Sequence, residues 1–378
     1  MVRALRKGVI FVAERDFSIL EQYDCKLYST SRGRGAFICE TSRGRVLLRE
    51  HNGNPGRIRI RAQLLEYLSA NGINVDYYLK NVEGQYISSD SSGTQYTLTT
   101  WFDAQECDVK NFQDVCTAVG ALAALHNVLE GYDVKKDIRE AADLCEDMDS
   151  QDGRTGSGGT VTDSGIAAEQ GERGVQEFQI ARNLEEVYDK HNRELKMIGN
   201  YLKGRHKKND FELLAASMCQ PFLDEGLRAV ETIRHSGYDA EYAAAIERSS
   251  LCHGDYSYHN VFIKKQKGYI CGFEQSCVDI RLVDLYGFMR KLMEKYDWDI
   301  KLGYLMLREY DRVNTLSSQD IKILGAMFAY PEKFWKILNY YFNNNKAWIP
   351  GRSMEKLRTV VNQNRMRREF VRTLYGSR

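Results

Sequence analysis

Between Tyr23 and Trp101 apolar and polar residues mostly alternate, in short runs broken by glycine. "CKLYST" and "GAFICET" flank "SRGR", and "GRVLLRE" follows a second "TSRGR" turn, a spacing that predicts antiparallel hairpins. The period then lengthens. "RIRIRAQLLEYLSANG" puts Ile60, Leu64, Leu65 and Leu68 on one face of a helix that Gly72 ends. "GQYISS" and "QYTLTTWF" return to strand alternation. A small sheet carrying one helix is the expectation for this part.

After Trp101 the pattern turns helical. "FQDVCTAVGALAALHNVL" places Val115, Val119, Leu122, His126 and Leu129 on one stripe, so His126 reads as a satisfied core histidine and not a ligand. Residues 149–174 lack a hydrophobic period, are rich in Gly, Ser and Thr, and read as a flexible insertion. "VQEFQIARNLEEVYDKHNRELKMIGNYLKGRHKKND" predicts a long helical run, and its basic end "KGRHKK" a solvated terminus. Further on, "GYICGF" reads as a buried strand leading into a polar turn. A helix then starts near Asp284, with Leu285, Phe288, Met289 and Leu292 inward and Asp284 as N-cap and loop anchor. No internal repeat is visible.

At 378 residues with 43% hydrophobic, the chain can build two domains or a two-lobed one, and most of it should fold. Lys plus Arg is 53 against 52 for Asp plus Glu, which gives no global electrostatic pull toward nucleic acid or an anionic membrane. No apolar stretch approaches the roughly 20 residues of a membrane span. The apolar run in "MVRALRKGVIFVAERD" is too short for a secretory leader and reads as a first strand or helix. Nine cysteines, an odd number with no CxxC pair, argue against a zinc site and a disulfide framework. They fit synthesis in a reducing cytosol.

The candidate chemistry lies in "LCHGDYSYHNVFI", residues 251–263. Asp255 followed five positions later by Asn260 suits a proton acceptor beside a metal ligand in phosphoryl transfer. Along the chain come this loop, a strand, the turn "GFEQSCVD" and the helix at Asp284. That order resembles the aminoglycoside phosphotransferase and choline kinase family, a branch of the protein-kinase-like fold. The resemblance implies a two-lobed α+β fold, with an N-lobe sheet and helix over residues 1–104 and a mainly helical C-lobe over 105–378. It also implies ATP and Mg²⁺ as cofactors. It makes Asp255 the catalytic base, Asn260 a metal ligand and "SRGRGAF", with Gly33 and Gly35, the nucleotide-covering hairpin. Arg49 falls at the phosphate-binding lysine position and Trp101 at the hinge, flanking adenine. Gln63 and Glu66 both fit the partner acid's position, and only Glu66 could form the ion pair. A bare tight hairpin at Gly33 and Gly35, and core packing for Trp101, stand beside these roles. His253 reads as structural, and His259 lacks the company of a metal ligand.

A narrower likeness is to the CotS group of spore-coat proteins. It is carried by "RGRGAFICET", "HNRELKMIGNYLKGRHKKNDFELL", "DLYGFMRKLMEKYDWD" and "YPEKFWKILNYYFNNNKAWIPG". It implies synthesis in the mother-cell cytoplasm, placement in the spore coat and coat proteins as partners.

The chain departs from the family at the metal position. Where the family has Asp-Phe-Glu or Asp-Phe-Asp, this sequence has Gly272, Phe273 and Glu274, so the first carboxylate is absent. Glu274 is the candidate substitute, because alternate strand residues share a face about 6 to 7 Å apart. Two functions follow. One is a CotS-like coat protein with an eroded or altered site and a binding or assembly role. The other is an ATP- and Mg²⁺-dependent phosphotransferase acting on a small hydroxylated molecule or a saccharide.

Overall fold

A computed structural model describes residues 17–33, 35–134, 178–343 and 350–376; the expected first element and the 149–174 insertion fall outside them. Among the described residues, those up to Glu66 together with Asp76–Asp103 form one compact unit, and Tyr67–Val75 with Ala104 onward form a second.

In the first unit the alternating segments form β1 (Leu27–Gly33), β2 (Ala36–Thr41), β3 (Gly44–Glu50), β4 (Ile87–Ser89) and β5 (Gln95–Thr100). They make one antiparallel sheet in the order β1-β2-β3-β5-β4. Gly35 takes a φ of +74° between the paired Gly33 and Ala36, a left-handed turn that suits glycine. Ile19, Leu20, Tyr23, Val46, Leu48 and Leu98 close the core of the unit. Helix α1 (Pro55–Ala70) buries Ile60, Leu64, Leu65 and Leu68. Its end is the expected glycine stop: Gly72 has φ +83° and the Ile73 N–H donates back to the Leu68 carbonyl at 3.0 Å.

The second unit is mostly helical. It runs β6 (Gln105–Glu106), α2 (Phe112–Leu129), β7 (Gln179–Ile180), α3 (Leu184–Gly204), α4 (Asp210–Arg234) and α5 (Tyr238–Arg248). Then come β8 (Leu251–Cys252), β9 (Val261–Lys264), β10 (Lys267–Ile270), β11 (Cys277–Val278) and α6 (Leu282–Lys295). The chain ends in α7 (Ile300–Asp311), α8 (Ser318–Ala329), α9 (Glu332–Asn343) and α10 (Pro350–Gly376). The short strands form two ribbons, β10-β9-β6 and β7-β11-β8.

Two expectations need correction. The helical run from residue 175 starts only at Leu184, because Gln179 and Ile180 pair with β11 and the Asn183 side chain caps the helix by accepting the Glu185 N–H at 2.8 Å. The "GYICGF" strand ends at Ile270, and Phe273–Gln275 is a single 3-10 turn.

Helix α2 is long and apolar enough to meet a membrane-span criterion. Its burial accounts for that composition: Val115, Ala118, Val119, Leu122 and His126 are enclosed in the unit, as in a core helix. The eight cysteines among the described residues are free thiols, and burial pushes Cys39 to about 11 and Cys107 to about 12, so these two behave as inert hydrophobes.

The α3, α4, α9 and α10 helices share an aromatic core in which Phe222 and Phe334 stack 4.0 Å apart at 6°. Phe334→Ala should therefore lower unfolding free energy by about 3–5 kcal/mol, read in a urea titration at unchanged m-value. A loss under about 1 kcal/mol would mean that the core collapses around the cavity.

Candidate functional site

The site is built on β8, the loop after it, the end of β10 and the first turns of α6. His253 and Gly254 follow β8 directly, and their backbone N–H groups donate to the two oxygens of Asp284, at 2.7 Å to Oδ2 and 3.0 Å to Oδ1. His126 on α2 brings Nε2 to 3.3 Å from the same Oδ2, and its Nδ1 lies 2.7 Å from the Tyr310 hydroxyl. With the ring proton on Nε2, Nδ1 accepts from Tyr310, whose burial raises its pKa and keeps it a donor. Burial alone would push Asp284 upward. The hydrogen bond from His126, the electrostatic influence of the two imidazoles and the His253 N–H outweigh that and hold its carboxyl below the usual range. Asp284 is thus the loop anchor but not the helix cap. Helix α6 starts at Leu282 with Arg281 at the N-cap, which makes no side-chain cap, and Asp284 inside the first turn aims its carboxylate at the loop.

His253 is fully buried. Its Nε2 lies 3.0 Å from the Cys271 carbonyl and its Nδ1 accepts the Asp255 N–H at 3.3 Å, which fixes the Nε2–H tautomer. Desolvation lowers its pKa, so the ring is a neutral strut between the loop and the end of β10. The charges of Asp255 and Glu274 act on it in the opposite sense.

Gly254 has φ +80°, and a Cβ there would lie 1.9 Å from the Gln275 carbonyl oxygen. Only glycine lets the loop backbone pass so close to the 3-10 turn that carries Glu274. Asp255, 51% exposed at its side chain, is held on both sides. Asn260 Nδ2 donates to its carbonyl at 2.9 Å and to Oδ2 at 3.3 Å, while Lys291 Nζ stands 3.3 Å from Oδ1. The Asn260 backbone is pinned in turn, its N–H to Ser257 O at 2.8 Å and its carbonyl to Cys271 N at 3.0 Å.

At the departed position, Gly272 has φ +87° and ψ 38°. A Cβ there would come 2.9 Å from Asn260 Nδ2. Because the backbone bends left-handed at Gly272, strand alternation stops. Glu274 is therefore exposed on the 3-10 turn and not two residues along a strand, which corrects the geometry expected for it. Asp255 and Asn260 are in contact, and Glu274 sits on the turn abutting their loop.

In the first unit, Arg49 lies on β3 opposite Thr97 of β5. Glu66 Oε1 accepts from the Tyr86 hydroxyl at 3.2 Å; burial and that carboxylate push Tyr86 up to about 12. Gln63, the competitor for its role, is half-buried, with its Oε1 enclosed and lacking a hydrogen-bond partner. Trp101 stacks on Phe102 at 5.3 Å and 25°, and its backbone N–H donates to Arg45 O at 2.9 Å. Gly33 lies against the Ile38 side chain, where an added Cβ would sit at 3.0 Å.

Magnesium, implied by the resemblance, needs at least one committed carboxylate beside the nucleotide phosphates. Gly272 supplies none, Asp255 is engaged by Lys291 and Asn260, and Glu274 is exposed. Among the described residues no three His, Cys, Asp or Glu side chains are placed to hold a metal. The described side chains thus form no all-protein divalent site, and a magnesium ion here would be held by Asn260 and Glu274 together with nucleotide phosphates.

Two residues of the site escaped the reading of the sequence. Lys291 was legible in principle: it lies seven residues, two turns, beyond Asp284 on the face of α6 that meets the loop. Asp279, just after β11, is 5% exposed. Burial, with the Asp284 charge adding to it, raises its pKa to about 7, against one bond from the Ile280 N–H.

The phosphotransferase enzyme family (APH) matches residues 31–314. Among solved structures, an aminoglycoside phosphotransferase from Alicyclobacillus acidocaldarius subsp. acidocaldarius DSM 446 superposes with a TM-score of 0.74 at 16% identity, over 99% of this chain and 97% of that one. A spectinomycin phosphotransferase in complex with ADP and spectinomycin gives 0.54 at 11% identity, over 92% and 96%. A microcompartment-associated aminopropanol kinase gives 0.50 at 10%, over 94% and 97%. At these identities the likeness is one of fold. Comparison with curated proteins returns no match.

Asp279 gives a signed pH test. Its folded pKa of about 7 stands above the unfolded carboxylate value, so its contribution favours folding below about pH 4 and is lost as pH rises toward 7. Asp279→Asn should raise the melting temperature at pH 8, by on the order of 2–4 kcal/mol in stability, with the difference vanishing near pH 4. An equal effect at both pH values would show that the change is packing and not charge.

Proposed function

The chain belongs to the phosphotransferase enzyme family (APH), and from that premise we propose that it is a ligand-binding member with an altered phosphotransfer centre, acting as a CotS-like spore-coat protein. Gly272 carries the reading. Phosphoryl transfer depends on positioning and on metal ions that neutralise charge on the transferring oxygens. At Gly272 the position of the first metal-holding carboxylate has no side chain, and the Asn260 amide stands where a Cβ would press. The coat assignment rests on the resemblance to the CotS group read in "RGRGAFICET", "DLYGFMRKLMEKYDWD" and the other strings quoted above. On it, coat proteins are the partners, and the chain moves from the mother-cell cytoplasm to the coat.

A second reading keeps ATP- and Mg²⁺-dependent transfer to a small hydroxylated molecule or saccharide. Asp255 favours it, because the base position and its His253 and Asp284 supports are all present.

Nucleotide binding with and without magnesium separates the two. The wild-type chain should bind ATP with the same affinity in either condition and show no acceptor-dependent turnover. Gly272→Asp should introduce a magnesium effect of about tenfold or more, since aspartate tolerates left-handed backbone better than most residues and the Asn260 amide can swing aside. Wild-type turnover of ATP with an identified acceptor, lost in Asp255→Asn, would reverse the ranking.

A further inference from the structure

The two oxygens of Asp255 face different chemistry. Oδ2 accepts from Asn260, and Oδ1 faces Lys291 Nζ at 3.3 Å. One turn further along α6, Lys295 holds its ammonium 5.3 Å from the centroid of the Tyr258 ring, three residues past Asp255. Among the described residues no carboxylate comes within ion-pair distance of Lys295. The opposite face of α6 is matched internally: Arg290 and Lys333 both bind Glu294, at 2.5 and 2.9 Å. His259, the other basic group on the loop, is taken by Glu106 at 2.6 Å. The helix therefore presents its two remaining lysines to the loop side, with Lys291 37% exposed at its side chain.

We propose that Lys291, Lys295 and the Tyr258 ring form the subsite of an anionic, hydroxylated ligand, a polyol or sugar bearing a carboxylate or phosphate. The inference rests on the reading above that this site binds a ligand. A ligand hydroxyl donating to Asp255 Oδ1 comes within reach of the Lys291 ammonium. An anionic group about one helical turn away, roughly 5 Å, meets Lys295. The Tyr258 ring carries the Lys295 ammonium over its face and so keeps that cation beside the loop. A cationic ligand would have to displace Lys291 from Asp255 and still lie beside two ammonium groups, a like-charge arrangement that works against binding.

The test is ligand-observed NMR and calorimetry on the full chain, without ATP or magnesium, using galacturonate, glucose 6-phosphate, glucose, choline and inorganic phosphate as probes. At least one of the two sugar anions should bind about tenfold or more tightly than glucose, choline and inorganic phosphate, and the better of the two identifies the charged group. Lys291→Gln with Lys295→Gln should weaken that anion by about tenfold or more while leaving the melting temperature unchanged, since both side chains are solvent-facing. Lys291→Glu should shift preference toward choline. Failure of both sugar anions to bind, equal or tighter binding of glucose, choline or phosphate, or an unaffected double variant would each overturn the proposal. Because nucleotide and metal are absent, these outcomes are independent of whether the phosphotransfer centre is altered.

Discussion

The buried carboxylate of Asp284 is the constraint on which the second unit's loop depends. It lies on a helix whose Leu285, Phe288, Met289 and Leu292 are fully enclosed, so its position is set by core packing. Taking such a charge out of water costs several kcal/mol, roughly, and only close donors offset it. Here the donors are two consecutive backbone N–H groups of the loop and His126. The arrangement works in both directions. The anion needs the loop's N–H groups, and the loop, left-handed at Gly254, has no regular secondary structure to satisfy them otherwise. Asp255 inherits its placement from this exchange.

A second constraint is close backbone approach. Gly254 lies under the Gln275 carbonyl and Gly272 under the Asn260 amide, so loop and turn touch at two points where one partner is a glycine. The residue at 272 is therefore coupled to its neighbours. With glycine at 272, the Asn260 amide can take the space a Cβ would claim and turn its Nδ2 toward Asp255. A side chain at 272 and the present pose of Asn260 exclude one another. Gly272, Asn260 and Asp255 form one hydrogen-bonded arrangement.

Much of this was legible in the chain. Hairpins follow from period-two runs cut by glycine, α2 from a stripe that includes His126, and the order of loop, strand and helix from alternation giving way to a helical face. What stayed hidden has physical reasons. Asp284 at a helix start looks like a cap because N-terminal acids usually are; nothing local says that its partners are loop N–H groups some thirty residues earlier. Glu274 reads as a strand residue because Gly272 carries no side-chain signal of the bend it makes. Asp279 reads as a polar turn residue, and its raised pKa arises from burial that only the packed helices create. Lys291 reads as an ordinary solvated helix lysine until the face of α6 is fixed by Asp284.

The Lys291–Asp255 pair also bears on what the site is for. Both side chains are substantially exposed, 37% and 51%, and an ion pair so placed contributes about 0–1 kcal/mol to folding. Nothing in the fold requires it. The buried Asp284 cluster already fixes the loop, and Asn260 already bridges its two ends. Contrast Arg290, which is buried and paired with Glu294 under the Tyr286 ring, where leaving either charge alone would be costly. One helix thus carries a cation that the core demands and, at the next position, one that the core does not. The second stands against the carboxylate to which the family resemblance gives the proton-accepting role. A ligand that brings its own negative charge can exchange partners with that lysine without disturbing the structure beneath it.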